Sequence, residues 1–183
     1  PEGEIEHEGL RLTSVPPALQ ELFSIAVLCN DSALRPKGDG WAITGDPTEA
    51  ALVVAAAKAG MHVHETRLEN QRVEEIPFSS ERKRMTTIHR TSGAHRAYMK
   101  GAPELVLSRC THILDASGVR PLNDDDRAAV LKANEDMAKA ALRVLAVASR
   151  VLPDGTAYDE DSVESGMVFL GLAGMMDPPR QEA

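Results

Sequence analysis

Lys100 stands in the stretch Met99-Lys100-Gly101-Ala102-Pro103-Glu104, which holds the strongest chemical signal in the chain. A strand ending on a lysine, a glycine that admits close approach to the backbone, and a proline suited to the first helical turn make a ready anion site. A plain strand-to-helix turn with its lysine in water fits the same spacing. Side chains two apart on a strand share a face. By that count Tyr98 with Lys100, Lys83 with Met85 and Arg143 with Leu145 each set a cation beside an apolar or aromatic neighbour, while Ala97 and Met99 look the other way. Should the three faces coincide, they offer an apolar slot beside positive charge, which a nucleotide base and its phosphates require. Three unrelated amphipathic strands would read alike.

Phe78 is informative because aromatic residues are scarce: one Trp, two Tyr and three Phe. It lies in Ile76-Pro77-Phe78-Ser79-Ser80-Glu81-Arg82-Lys83-Arg84, among polar and charged neighbours. A ring there can stack on a base, worth about 1–3 kcal/mol in single-strand nucleic-acid sites, or it can cap the core at a strand end. In Asp46-Pro47-Thr48-Glu49, Asp46 reads as an N-cap, Pro47 as the first helical residue and Glu49 as the reciprocal capping partner. Glu49 could instead accept a hydrogen bond from an exocyclic amine, although the spacing alone favours the cap. His62 and His64 share one strand face, with no further ligand at metal-site spacing, and the basic run Glu81-Arg82-Lys83-Arg84 reads as a solvated turn.

These residues need elements to carry them. Pro16-Pro17 opens a helical pattern running to about Cys29, with Leu19, Leu22, Phe23, Ala26 and Val27 as its apolar stripe. A short strand over Trp41–Thr44 leads through Gly45 into a second helix, from Asp46 to about Ala59, closed by Gly60. Strands are expected over Val63–Leu68, Arg72–Phe78, Met85–Arg90 and Arg96–Lys100, with a turn at Thr91-Ser92-Gly93. Pro103 starts a short helix, Asp115–Gly118 is a hairpin-like turn, and Asn123 caps a helix that ends near Leu142. Arg143–Val151 and Met167–Ala173 are apolar strands. Strands joined by tight turns imply antiparallel pairing with helices against one face, an α+β fold built on a twisted antiparallel sheet flanked by helices.

Length and composition agree. At 183 residues, 43% hydrophobic and 26% charged, the chain can bury a core as a single domain over 1–183. With 20 basic and 28 acidic side chains, its net charge of −8 argues against a nucleic-acid binder. No apolar run reaches the ~20 residues that cross a bilayer, so no membrane contact is expected, and Pro1-Glu2-Gly3-Glu4 does not open a signal peptide. Cys29 and Cys110 read as reduced, packed thiols of a cytosolic compartment.

Leu28-Cys29-Asn30-Asp31, Gly45-Asp46-Pro47-Thr48-Glu49, Pro77-Phe78-Ser79, Lys83 with Met85, Lys100 through Glu104, Leu142-Arg143-Val144-Leu145-Ala146 and Asp177-Pro178-Pro179-Arg180 occur in one order. The chain resembles the cytoplasmic nucleotide-binding domain of P-type cation-transporting ATPases, in the calcium-pump-like branch, from about Leu10 to Arg180. The resemblance implies that Phe78 stacks on adenine, with Thr48 and Glu49 on the base and ribose side. It implies Lys83 and Met85 flanking the purine, Lys100 deep in the pocket over a floor of Gly101 and Ala102, Arg143 toward the phosphates and Leu145 near the ribose or base. The stretch 177–180 resembles the hinge to a phosphorylation domain. Ser80 stands where animal calcium pumps carry an arginine.

By the same resemblance, the parent chain is an ATP-hydrolysing cation pump at the cytoplasmic face of a membrane, and the partners are ATP and the parent's own phosphorylation and actuator domains. The Asp-Lys-Thr-Gly-Thr phosphorylation motif is missing from these residues. The chain is therefore expected to bind ATP as a monomer without forming an aspartyl-phosphate, and to need Mg²⁺ only within the full pump. The alternative is a noncatalytic interaction module that grips an acidic partner through Arg82-Lys83-Arg84.

Overall fold

The computed structural model describes residues 3–12, 14–38 and 40–176. The stretch 177–180, read above as a hinge, lies outside the described residues. A small hairpin, β1 (Glu6–His7) and β2 (Leu10–Arg11), precedes helix α1 (Pro17–Leu28). A second hairpin, β3 (Ala33–Lys37) and β4 (Gly40–Thr44), leads into α2 (Pro47–Lys58) and α3 (Val63–Glu69). Then come β5 (Gln71–Ile76), β6 (Arg84–Thr91), β7 (Ala94–Gly101), α4 (Pro103–Leu107), β8 (Cys110–Asp115) and β9 (Gly118–Pro121). The chain continues through α5 (Asp124–Lys139), β10 (Arg143–Leu152), α6 (Glu160–Val163) and β11 (Met167–Met175).

Seven strands form the main sheet in the order β5-β6-β7-β10-β11-β8-β9. Its pairs are antiparallel except β11 with β8, which run parallel. β6 and β7 are joined by two residues, Ser92 (φ 36°) and Gly93 (φ 90°), whose left-handed backbone matches the twist of a tight hairpin. The expected strands over Arg72–Phe78, Met85–Arg90, Arg96–Lys100, Arg143–Val151 and Met167–Ala173 are all present, within a few residues at their ends.

Helices cover both faces of the sheet, not one. Met85, Tyr98 and Val147 pack on Ile25, Leu28 and Cys29 of α1 and its cap. On the other face Met99, Ala146, Ala148 and Phe169 pack on Val106 and Leu107 of α4, with Val130 of α5 against them, and Ile88, Ala97 and Leu152 meet Val163 of α6. Double coverage explains why Arg84 through His89 is buried at every position instead of alternating. Val63–Leu68 is also corrected: it is helical. Val63 packs against Phe23, Val27 and Ala56, and Arg67 is drawn to the end of α1, tertiary contacts that override the strand preference of an alternating run. His62 is the N-cap of this helix, so it shares no strand face with His64.

Candidate functional site

Helix α1 ends without a basic residue in its last turn, so its terminal carbonyls need donors from elsewhere. Three cations supply them. Arg67 donates to the carbonyls of Val27, Asn30 and Ser32, and Arg72 to those of Leu28 and Asn30. Lys100 Nζ donates to the Cys29 carbonyl at 2.5 Å. The Asn30 side chain completes the turn by donating to Ala26 O at 2.9 Å and Glu49 O at 2.8 Å.

Glu49 faces this turn from the start of α2. Its Oε1 accepts from Lys100 Nζ at 2.5 Å and its Oε2 from the Asp31 amide at 2.9 Å. Glu49 is therefore not the reciprocal capping partner the spacing suggested. Asp46 does cap the helix, accepting from the Thr48 amide at 2.8 Å and the Glu49 amide at 3.2 Å. Partial desolvation alone would raise the Asp46 carboxyl pKa, but the Glu49 and Thr48 bonds and the nearby positive charge of Arg143 hold it below its ordinary value.

Lys100 is buried at 6% exposure and lies opposite Met85 on β6 and Val147 on β10. Register then puts Arg143, Leu145 and Val147 on the Lys100 face, as period-2 counting expected. Arg143 is exposed and Leu145 half-buried. Lys83 departs from its expected strand: it is an exposed turn residue with φ 48°, and β6 begins one residue later. The Ala102 amide donates to its carbonyl at 2.9 Å. Gly101 is pressed against that turn, since a Cβ there would sit 2.5 Å from both Lys83 O and Arg84 Cβ.

Phe78 is 61% exposed, which removes the reading of a ring capping the core. It follows β5 by two residues, and Ile76 pairs with Thr86, next to the Met85–Lys100 pair. Phe78 thus leaves the sheet at the end that carries Lys100 and Gly101. β5 stands two strand spacings, roughly 10 Å, from β7. The structure accordingly joins Glu49 to Lys100 directly and Lys83 to Gly101 and Ala102 through the backbone, with Thr48 between Asp46 and Glu49 and Arg143 on the Lys100 face. Leu145 extends the same face.

Spacing did not reveal the roles of Asn30, Arg67, Arg72, Arg84 and the buried Glu164. Signals existed for two of them. Positions 82, 84 and 86 alternate onto one side of an incipient strand, and Glu160 and Glu164 are four apart on one helical stripe. Arg82 and Arg84 each reach both carboxylates. Glu81 and Lys83 of the run are exposed as a solvated turn would have them, but Arg82 and Arg84 are spent inside the molecule rather than offered to an acidic partner. Among the described residues no three His, Cys, Asp or Glu side chains are grouped to hold a metal ion.

Residues 18–182 match the family model described as P-type ATPase, cytoplasmic domain N. The chain belongs to the family of P-type ATPase N domains. It is 42% identical over 179 residues to a cation-transporting ATPase of Synechocystis sp., covering 97% of this chain and 19% of that protein. It is 38% identical over 161 residues to calcium-transporting ATPase 1 of Bacillus cereus, covering 88% and 18%. A probable cation-transporting ATPase F of Mycobacterium tuberculosis is 43% identical over 158 residues, covering 84% and 17%. This N domain thus spans about a fifth of the length of the curated relatives it matches.

Proposed function

We propose that this N domain holds ATP by its adenine at the cytoplasmic face of a membrane and delivers the γ-phosphate to a neighbouring domain of a cation-transporting pump. There an aspartate oxygen attacks the γ-phosphorus, an acyl phosphate forms and ADP leaves. Phosphoryl transfer depends on positioning and charge neutralisation, so the work of this domain is delivery. The observation that carries the reading is Phe78: a ring 61% open to solvent, in a chain with three Phe, at the sheet end that bears Lys100, Lys83 and Arg143. Stacking on that ring favours the purine, and the exposed Lys83 and Arg143 suit the phosphates. Lys100 and Glu49 neutralise one another, so their part is to hold the first turn of α2 against the sheet, a wall for the base and ribose. The names of the relatives support ATP as the ligand and a cation as the cargo. Phosphorylation and actuator domains of the parent chain would be its partners, and Mg²⁺ would be held mainly outside this domain.

Isothermal titration with ATP tests the reading. Binding is expected on the order of 0.1–1 mM, about −4 to −5.5 kcal/mol, and Phe78→Ala is expected to weaken it at least several-fold without moving the melting temperature. Lys100→Ala should weaken binding too, but it also strips Glu49 of its partner and lowers stability. Phe78→Ala is therefore the deciding variant, and unchanged affinity there would overturn the reading.

A further inference from the structure

Arg82 bonds to both residues that flank Phe78. Its Nη1 donates to the Pro77 carbonyl at 2.8 Å, and its amide donates to the Ser79 hydroxyl at 3.1 Å. The adjoining Lys83 amide donates to the Ser79 carbonyl at 2.7 Å. The same guanidinium is anchored behind the loop, with Nη2 on Glu164 Oε1 at 2.5 Å and Nε 3.0 Å from Glu160 Oε2. Glu164 is wholly buried and also accepts from Arg84 Nε and Thr86 Oγ1, each at 2.6 Å. Glu160 takes Arg84 Nη2 at 2.6 Å.

Burying the Glu164 carboxylate with two guanidiniums, and Glu160 at the rim, is a costly way to stabilise a fold, because apolar packing of equal volume does as well or better. What such a cluster supplies is fixed direction. The Phe78 ring is mostly in solvent, so its place is set by its backbone, and the backbone is set by Arg82. A loop that must be ordered when a ligand arrives subtracts that ordering from the affinity, and a loop already held does not.

Resting on the nucleotide reading above, we propose that Arg82, clamped by Glu160 and Glu164, is a positioning residue that pre-orders Phe78 for the base. A double-mutant cycle on ATP affinity tests this, using the wild-type chain, Arg82→Ala, Phe78→Ala and the combined variant. Arg82→Ala is expected to weaken ATP roughly three- to tenfold while Phe78 is present, and to change nothing once Phe78 is alanine. Equal losses in both backgrounds, or no loss in either, overturn the proposal, since a general charge or stability effect ignores the ring. Glu160→Ala removes one half of the clamp on the same guanidinium and runs the same cycle should Arg82→Ala fail to fold; a coupling of the same sign supports the proposal and zero coupling overturns it. If Phe78→Ala alone leaves ATP affinity untouched, the base-stacking reading fails and takes this one with it. A clear Phe78 effect with additive Arg82 losses defeats this proposal only.

Discussion

Gly101 shows how narrow the tolerances are at single residues. Its φ is not in the left-handed region, so the constraint is space: a methyl group would meet the Lys83 carbonyl and the Arg84 Cβ, each at 2.5 Å. Neither of those atoms is the free end of a flexible side chain. Gly101→Ala must therefore push the start of β6 off the end of β7, and it should cost about 1–3 kcal/mol in urea-unfolding experiments. The same push displaces Lys83, so ATP affinity should fall in parallel, and a variant as stable as wild type would contradict this packing. Lys100 has a different constraint. Its ammonium closes both the α1 terminus and the Glu49 carboxylate, which makes it a structural tie.

At the scale of elements, the cap of α2 is the joint between helix and site. Asp46→Ala removes an acceptor from two amides of the first turn and should cost about 0.5–2 kcal/mol. The sign of its pH dependence follows from the depressed carboxyl: the cap is fully present above the unfolded value of about 3.9, and it is lost as pH falls through the lower folded value. The stability gap between wild type and Asp46→Ala, measured by urea midpoint, should therefore close in acid. A gap that persisted at the acid end would mean the helix is held by something other than this carboxylate.

Such local signals made much of the fold legible in advance. α1, α2 and α5 carry Pro or Asn and Asp punctuation at their starts, and the period-2 count along β6, β7 and β10 put Met85, Lys100 and Arg143 on one face. What could not be read depended on partners far along the chain. α3 is helical because Val63 packs on α1 and α2 and Arg67 reaches the α1 terminus, and α6 is four residues long and capped by Asp159, announced only by the spacing of Glu160 and Glu164. The parallel pairing of β8 with β11 joins segments separated by α5 and β10. In the site, the residue types were visible but not their pairing. The Glu49 carboxylate looks like a cap until Lys100 arrives from 51 positions away.

For the molecule as a whole, the two thiols report on whether the layers stay closed. Cys29 and Cys110 lie on opposite faces of the sheet, at 0% and 1% exposure. Burial pushes the Cys110 thiol up to about 12 despite the opposing charge of Arg127, and it raises Cys29 against the pull of Lys100. Reaction requires the thiolate and access together, so the native chain at mildly alkaline pH should take up no iodoacetamide while the urea-unfolded chain takes up two equivalents. Labelling of Cys29 alone would show α1 lifting from the sheet, and labelling of Cys110 alone would show α4 doing so. Between those layers, β11 sits as the inner strand that joins β10 to β8. On a ribosome, the hairpin of β8 and β9 would emerge long before its neighbour and wait unattached, because nothing upstream can take that slot. Closure of the sheet is thus deferred to nearly the final stretch of these residues, and a nascent chain stalled before Met167 would present to chaperones two edges, of β10 and β8, that the finished sheet covers.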